Sequence, residues 1–100
     1  MLLRFQREAT EELDEAIAWY NAQQAELGLA FHAAVRAVLE SIGVNPRFGF
    51  RSTKNGCRFS PTDRFPYVVF GMEVDDGIRI LAISPAKRKL EYWRNRIPES

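Results

Sequence analysis

Apolar residues recur at helical spacing through the first 46 residues and gather into short runs after that, so the chain changes from helix to strand character about halfway. Residues 2–6 read as a short strand. Ala9, Leu13, Ala16, Ile17 and Tyr20 then follow the i, i+4, i+7, i+8, i+11 spacing that lines one face of a helix. In the opening stretch, residues 8–14, Thr10 is a candidate cap, and Glu11, Glu12 and Asp14 suit the positive end of the helix dipole. The stripe fades before Gly28, which reads as the corner of a helical hairpin. Phe31, Ala34, Val35, Val38, Leu39 and Ile42 repeat the period until Gly43 and the Asn45-Pro46 pair stop the second helix.

Residues 47–56 are rich in Arg, Gly, Ser, Lys and Asn without periodicity and read as an exposed connection. Residues 57–60 form a short β run, Pro61-Thr62-Asp63 a turn, residues 65–74 a long β run, Asp75-Asp76-Gly77 a tight turn, and residues 78–83 another strand. An antiparallel meander follows from these turns. Val68, Val69 and Phe70, and again Leu81, Ala82 and Ile83, are apolar at consecutive positions, which predicts strands covered at least in part on both faces. Pro85 can open a last helix over residues 86–95. The expected fold is therefore α+β, a small β-α-α-β-β-β-α domain spanning residues 1–100. Its antiparallel sheet packs against a two-helix hairpin and a short C-terminal helix. Phe31, Val35, Val38, Leu39, Val69, Leu81 and Trp93 are expected to share one core.

With 100 residues there is room for one core of two layers but not for a lid or a second domain. The single cysteine, Cys57, excludes an internal disulfide and a cysteine-based zinc site, and reads as an apolar filler in a reducing compartment. The N-terminus is too short and too charged for a signal peptide. No apolar run approaches the ~20 residues of a membrane span, so a cytoplasmic protein without a membrane partner is expected. The charge is strongly divided. Residues 1–46 hold 3 Lys/Arg against 7 Asp/Glu, and residues 47–100 hold 11 against 6, a difference of −4 and +5.

The basic half supplies the candidate binding residues, Arg58, Arg64, Arg79, Lys87, Arg88 and Lys89, which lie on or beside the strands and their exit. Arginine offers a planar fork to phosphate or carboxylate, and lysine a compact charge. Each alone reads as a solvated edge charge; their clustering opposite an acidic half argues for an anionic ligand or an acidic protein partner. Tyr92 and Trp93 are adjacent, so on a helix only one can be fully buried; Trp93 is assigned to the core, and Tyr92 can stack, donate a proton or simply pack. The lone His32 has no acidic or nucleophilic partner nearby in sequence. Trp19 beside Tyr20 reads as core margin. Asp75-Asp76 reads as a turn and not a metal site, and neither a metal nor a cofactor is expected.

A set of residues in this order resembles the RelE/ParE superfamily of small bacterial toxins, in its ParE-like, plasmid stabilisation branch. The set comprises Ala16 to Tyr20, Leu27-Gly28 with Phe31, Asn45-Pro46, Gly49, Arg58, Phe65-Pro66-Tyr67, Ile80 to Ile83, Lys87-Arg88, Tyr92-Trp93 and Arg96. The resemblance implies the toxin of a type II toxin–antitoxin module, a cognate antitoxin as partner, growth inhibition, and either DNA gyrase or the ribosome with its mRNA as target. In the ribosome-dependent endoribonuclease alternative, Arg58, Lys87 and Arg88 hold phosphate and Tyr92 assists proton transfer. A third alternative is a degenerate, non-toxic member that still binds the antitoxin. Two positions depart from the branch. Pro85 stands where it usually places His, and Leu90 where it usually places Pro; RNA cleavage needs a group to take the 2′-OH proton, and proline offers none.

Overall fold

The structure is a computed structural model that describes residues 2–45, 47–51 and 56–87. Strand β1 (Leu2–Phe5) leads into helix α1 (Arg7–Gln23) and helix α2 (Leu27–Val44), followed by β2 (Phe50–Arg51), β3 (Cys57–Pro61), β4 (Tyr67–Val74) and β5 (Gly77–Pro85). The five strands form one sheet in the order β1-β5-β4-β3-β2. The meander β2-β3-β4-β5 is antiparallel, but β1 pairs parallel with β5, Leu2 opposite Gly77 through Phe5 opposite Ile80. The sheet is therefore mixed, not antiparallel throughout. Tight turns force neighbours to run antiparallel, and β1 reaches β5 without one. The last helix expected over residues 86–95 lies outside the described residues from residue 88 onward; Ala86 and Lys87 form a turn, and Pro85 closes β5 instead of opening a helix.

Both helices start at positions other than the most obvious signals. Thr10 does not cap α1; Gln6 is the N-cap, with its carbonyl accepting the N–H groups of Ala9 and Thr10 at 3.0 and 3.2 Å. The hairpin turns at Glu26, whose φ of 71° is left-handed, and not at Gly28. Gly28 lies inside α2, where its N–H donates to Asn21 Oδ1 at 2.9 Å. A Cβ there would come within 2.5 Å of the Ile17 carbonyl oxygen and of the Asn21 side chain. Glycine is thus required for the close approach of the two helices. Asn45 ends α2, its N–H donating to the Ser41 carbonyl. By length and composition alone α2, with 18 residues and a mean hydropathy of 1.4, reaches the range of a membrane span, contrary to the sequence expectation. In this fold it lays Phe31, Val35 and Ile42 into the core and leaves Arg36 and Glu40 exposed.

The helices cover one face of the sheet. Ala9, Ala16, Tyr20, Phe31, Val35, Ile42, Phe48, Phe65, Val69, Ile78, Ile80 and Ile83 form the core there, with Val38 and Leu39 partly buried against it. A second cluster, Cys57, Val68, Phe70, Leu81 and Ala82, lies on the other face. Leu81 therefore does not share the helix-side core. The cause is a bulge: Phe70 pairs with Ala82 and Gly71 with Ile80, so Leu81 is the extra residue and the inward positions shift from Ile78 and Ile80 to Ile83. The expectation for Trp93 lies outside the described residues.

Aromatic rings join hairpin to sheet. Tyr20 packs on Phe31 and on Phe65 with centroids 5.0 Å apart in each case, and Phe31 on Phe65 and Tyr67 at 5.2 and 4.9 Å. Phe65 sits in the β3–β4 loop, ahead of the strand that the sequence began there. That loop is pinned by Thr62, whose buried hydroxyl donates toward the carbonyls of Phe65 and Tyr67 at 3.0 and 3.1 Å.

Phe31→Ala should cost about 3–5 kcal/mol, the range for emptying a buried aromatic site, as measured by urea unfolding. Gly28→Ala should destabilise by about 1–3 kcal/mol through overpacking, although alanine is normally the better helix residue. Glu26→Gly should be neutral or stabilising, because it relieves the left-handed backbone. A stabilising Gly28→Ala would contradict the helix contact described.

Candidate partner-binding surface

Strand register decides where the basic residues stand. Arg58 pairs with Gly71, which pairs with Ile80, so Arg58 is on the helix-side face, near the β4–β5 turn. It is half-buried, and its Nη1 lies 3.5 Å from the Phe48 carbonyl oxygen. Arg79, between Ile78 and Ile80, points to the other face, as alternation along a strand requires. Its Nη1 donates to Gln6 Oε1 at 2.9 Å, and its Nε is buried without a hydrogen-bond partner. Beside it, Arg4 makes an exposed ion pair with Asp76 at 3.0 Å.

Arg64 and Lys87 occupy the opposite end of the sheet. Arg64 is exposed in the β3–β4 loop at a φ of 71°, with its guanidinium carbon 5.7 Å from the centre of the Phe65 ring. The Ala86 N–H donates to the Pro66 carbonyl at 2.8 Å, which ties the exit of β5 to that loop and brings exposed Lys87 beside it. The structure thus brings Arg64 and Lys87 to one end and leaves Arg58 and Arg79 toward the other, on opposite faces. Arg88, Lys89 and Tyr92 lie outside the described residues.

Two features were not anticipated. Glu12, read from sequence only as a helix-dipole residue, accepts the Ile83 N–H at 3.0 Å, so α1 closes the part of the β5 edge that β1 is too short to reach. Trp19, read as core margin, is 57% exposed; it meets Tyr20 edge-on at 5.0 Å. Glu12, Glu15, Ala16, Trp19, Tyr67, Ile83 and Pro85 line a groove of about 300 Å³ at the junction of helix and sheet. The sequence signal was weak for both: Glu12 lies one residue from the apolar stripe, and nothing local says which of two adjacent aromatic residues turns inward.

Burial shifts two acids. It pushes the Cys57 thiol up, and it pushes the Tyr20 phenol up, with a smaller contribution from Tyr67. Both groups therefore stay neutral at physiological pH. A nucleophilic role for Cys57 would need the thiolate, which its site disfavours.

Set against known proteins, the family model described as ParE toxin of type II toxin-antitoxin system, parDE, matches residues 3–90. A chain of the solved chromosomal ParDE TA system from P. aeruginosa shares the fold, with a TM-score of 0.74 and 23% identity over 85% of this chain and 95% of that chain. No curated protein sequence matches significantly. The chain belongs to the ParE toxin family of type II toxin–antitoxin systems.

The raised acids set the alkaline behaviour. Because the folded pKa of each lies above its unfolded value, their contribution to stability is complete below the unfolded pKa and is lost as pH rises through the folded one. Stability should therefore fall above roughly pH 9, and Cys57→Ala should flatten the first part of that decline in urea titrations across pH. A stability that rises between pH 9 and 10 would contradict the burial of both groups.

Proposed function

We propose that this ParE-family toxin arrests growth by binding DNA gyrase, with no catalytic residues of its own, and that an acidic segment of its cognate ParD-type antitoxin neutralises it. The observation that carries this reading is Pro85. It closes β5 just ahead of the Lys87-Arg88 pair, at the place where the endoribonuclease reading needs a base, and the chain's one histidine, His32, stands half-buried on α2. Cations can stabilise a phosphorane but do not also remove the 2′-OH proton efficiently.

The spacing of the cations supports binding as well. The Arg58 row and the Pro85 row are four residues apart along β4, roughly 13 Å at strand rise. A single scissile phosphate is poorly served by two groups so far apart, whereas an extended acidic chain can meet both in turn. The endoribonuclease reading keeps Arg58, Lys87 and Arg88 as phosphate-holding residues and Tyr92 as the proton-transfer residue.

Expression without the antitoxin distinguishes the two. Gyrase inhibition gives DNA breaks and filamentation; nuclease action gives mRNA cut within codons on ribosomes; a member without toxicity gives neither. Under the binding reading Tyr92→Phe leaves growth arrest nearly intact, since only a hydroxyl is lost, and Pro85→His changes nothing. Under the nuclease reading Tyr92→Phe lowers cleavage by roughly 10²-fold or more. Loss of arrest in Tyr92→Phe, with folding and antitoxin binding retained, would overturn the non-enzymatic reading. Reversing Arg58 and Arg88 to Glu together should weaken the antitoxin complex and slow its association, read by surface-binding kinetics at several salt concentrations.

A further inference from the structure

The sheet face away from the helices is buried, yet among the described residues no helix lies over it. On that face Cys57, Leu81 and Ala82 are wholly enclosed, Phe70 is 2% exposed and Val68 8%. Both helices pack on the opposite face, and the described apolar side chains packed against this cluster, Phe59 and Met72, belong to the sheet itself. Side chains on an open sheet face stand up from the pleat with their tips in water. Full enclosure therefore needs a covering layer, and it is present within a single chain, so no second copy supplies it.

Two stretches outside the described residues compete for that place. Ser52, Thr53, Lys54 and Asn55 hold no large apolar side chain. Residues 88–100 hold Leu90, Tyr92, Trp93 and Ile97. Leu90, Trp93 and Ile97 are spaced i, i+3, i+7, which on a helix puts them within about 60° of arc. Pro98 stops such a helix at Ile97. Arg88, Lys89, Arg94 and Arg96 fall on the flanks or the back of this stripe.

Position and length agree with the second stretch. Strand β5 ends at Pro85, one residue past Ser84, which pairs with Val68 at one end of the covered face. The bond from the Ala86 N–H to the Pro66 carbonyl fixes the exit of the chain at that end. From Val68 to Met72 the face runs four residues along β4, about 13 Å at strand rise. The stripe from Leu90 to Ile97 spans about 10 Å at helical rise.

We propose that residues 88–97 form a helix that folds back over the far face of the sheet and seats Leu90, Trp93 and Ile97 on Val68, Phe70, Leu81 and Ala82. Trp93 then belongs to this second core and not to the one beneath the hairpin. The layer closes over Cys57, and it holds Arg88, Lys89, Arg94 and Arg96 above the sheet as a fixed cationic set. This arrangement is independent of which target the toxin binds.

Nuclear Overhauser contacts in the full-length, isotope-labelled protein are the primary test. The Trp93 indole, told from that of Trp19 by Trp19→Phe, should show contacts to methyl groups of Val68, Leu81 and Ala82 and none to Phe31 or Val35. Cys57 gives a second readout. An aromatic disulfide reagent should label it about tenfold faster or more in Trp93→Ser than in the wild type, while the Phe31 and Val35 amides keep their slow hydrogen exchange. Should Trp93→Ser unfold the whole chain, the contacts in the wild type still decide. Contacts from Trp93 to the helix-side core, contacts seen only between differently labelled copies, or a Trp93 indole without contact to the sheet would overturn the placement. Unchanged Cys57 labelling in a folded Trp93→Ser chain would overturn it as well.

Discussion

The whole arrangement depends on one contact, the cluster of Tyr20, Phe31, Phe65 and Tyr67 through which the helical hairpin meets the sheet. Neither layer can bury its apolar face alone, and each edge-on or tilted ring pair adds about 0.5–1.5 kcal/mol beyond its buried area. Three local devices bring those rings together. Gly28 and Asn21 set how closely α1 and α2 approach, Thr62 fixes the loop that offers Phe65, and Glu12 ties α1 to the β5 backbone at Ile83.

This contact also determines where a partner can bind. The helices cover one face, so the remaining addresses are the sheet's ends and edges and the second face. The Glu12 carboxylate closes part of the β5 edge, and the bond from Ala86 to Pro66 brings Lys87 to the loop of Arg64. The opposite edge, at β2, is short, cationic and bordered by exposed Phe50.

Much of the architecture was legible because periodicity reports directly on burial. The stripes on both helices, the stop at Asn45 and the β runs around the Asp75-Asp76-Gly77 turn all come from spacing that a folded chain cannot avoid. What escaped was set by contacts distant in sequence. No residue of Leu2–Phe5 says that it runs parallel to β5. Gly28 has the look of a corner, yet its role is fixed by Ile17 and Asn21 across the hairpin. The apolar triplet Leu81-Ala82-Ile83 correctly signals two covered faces, but it hides the bulge that moves Leu81 to the far one. The basic set suffered most. Arg58 and Arg79 look alike in a list of charges, and strand alternation sends them to opposite faces, while a hydrogen bond outside the sheet brings Arg64 and Lys87 to one end.

Purified components test the central claim most directly. The full-length toxin, added to purified DNA gyrase with relaxed plasmid and ATP, and in parallel to translating ribosomes, should block supercoiling at stoichiometric concentration and leave the mRNA intact. Codon-phased mRNA cleavage with supercoiling unaffected would contradict the account.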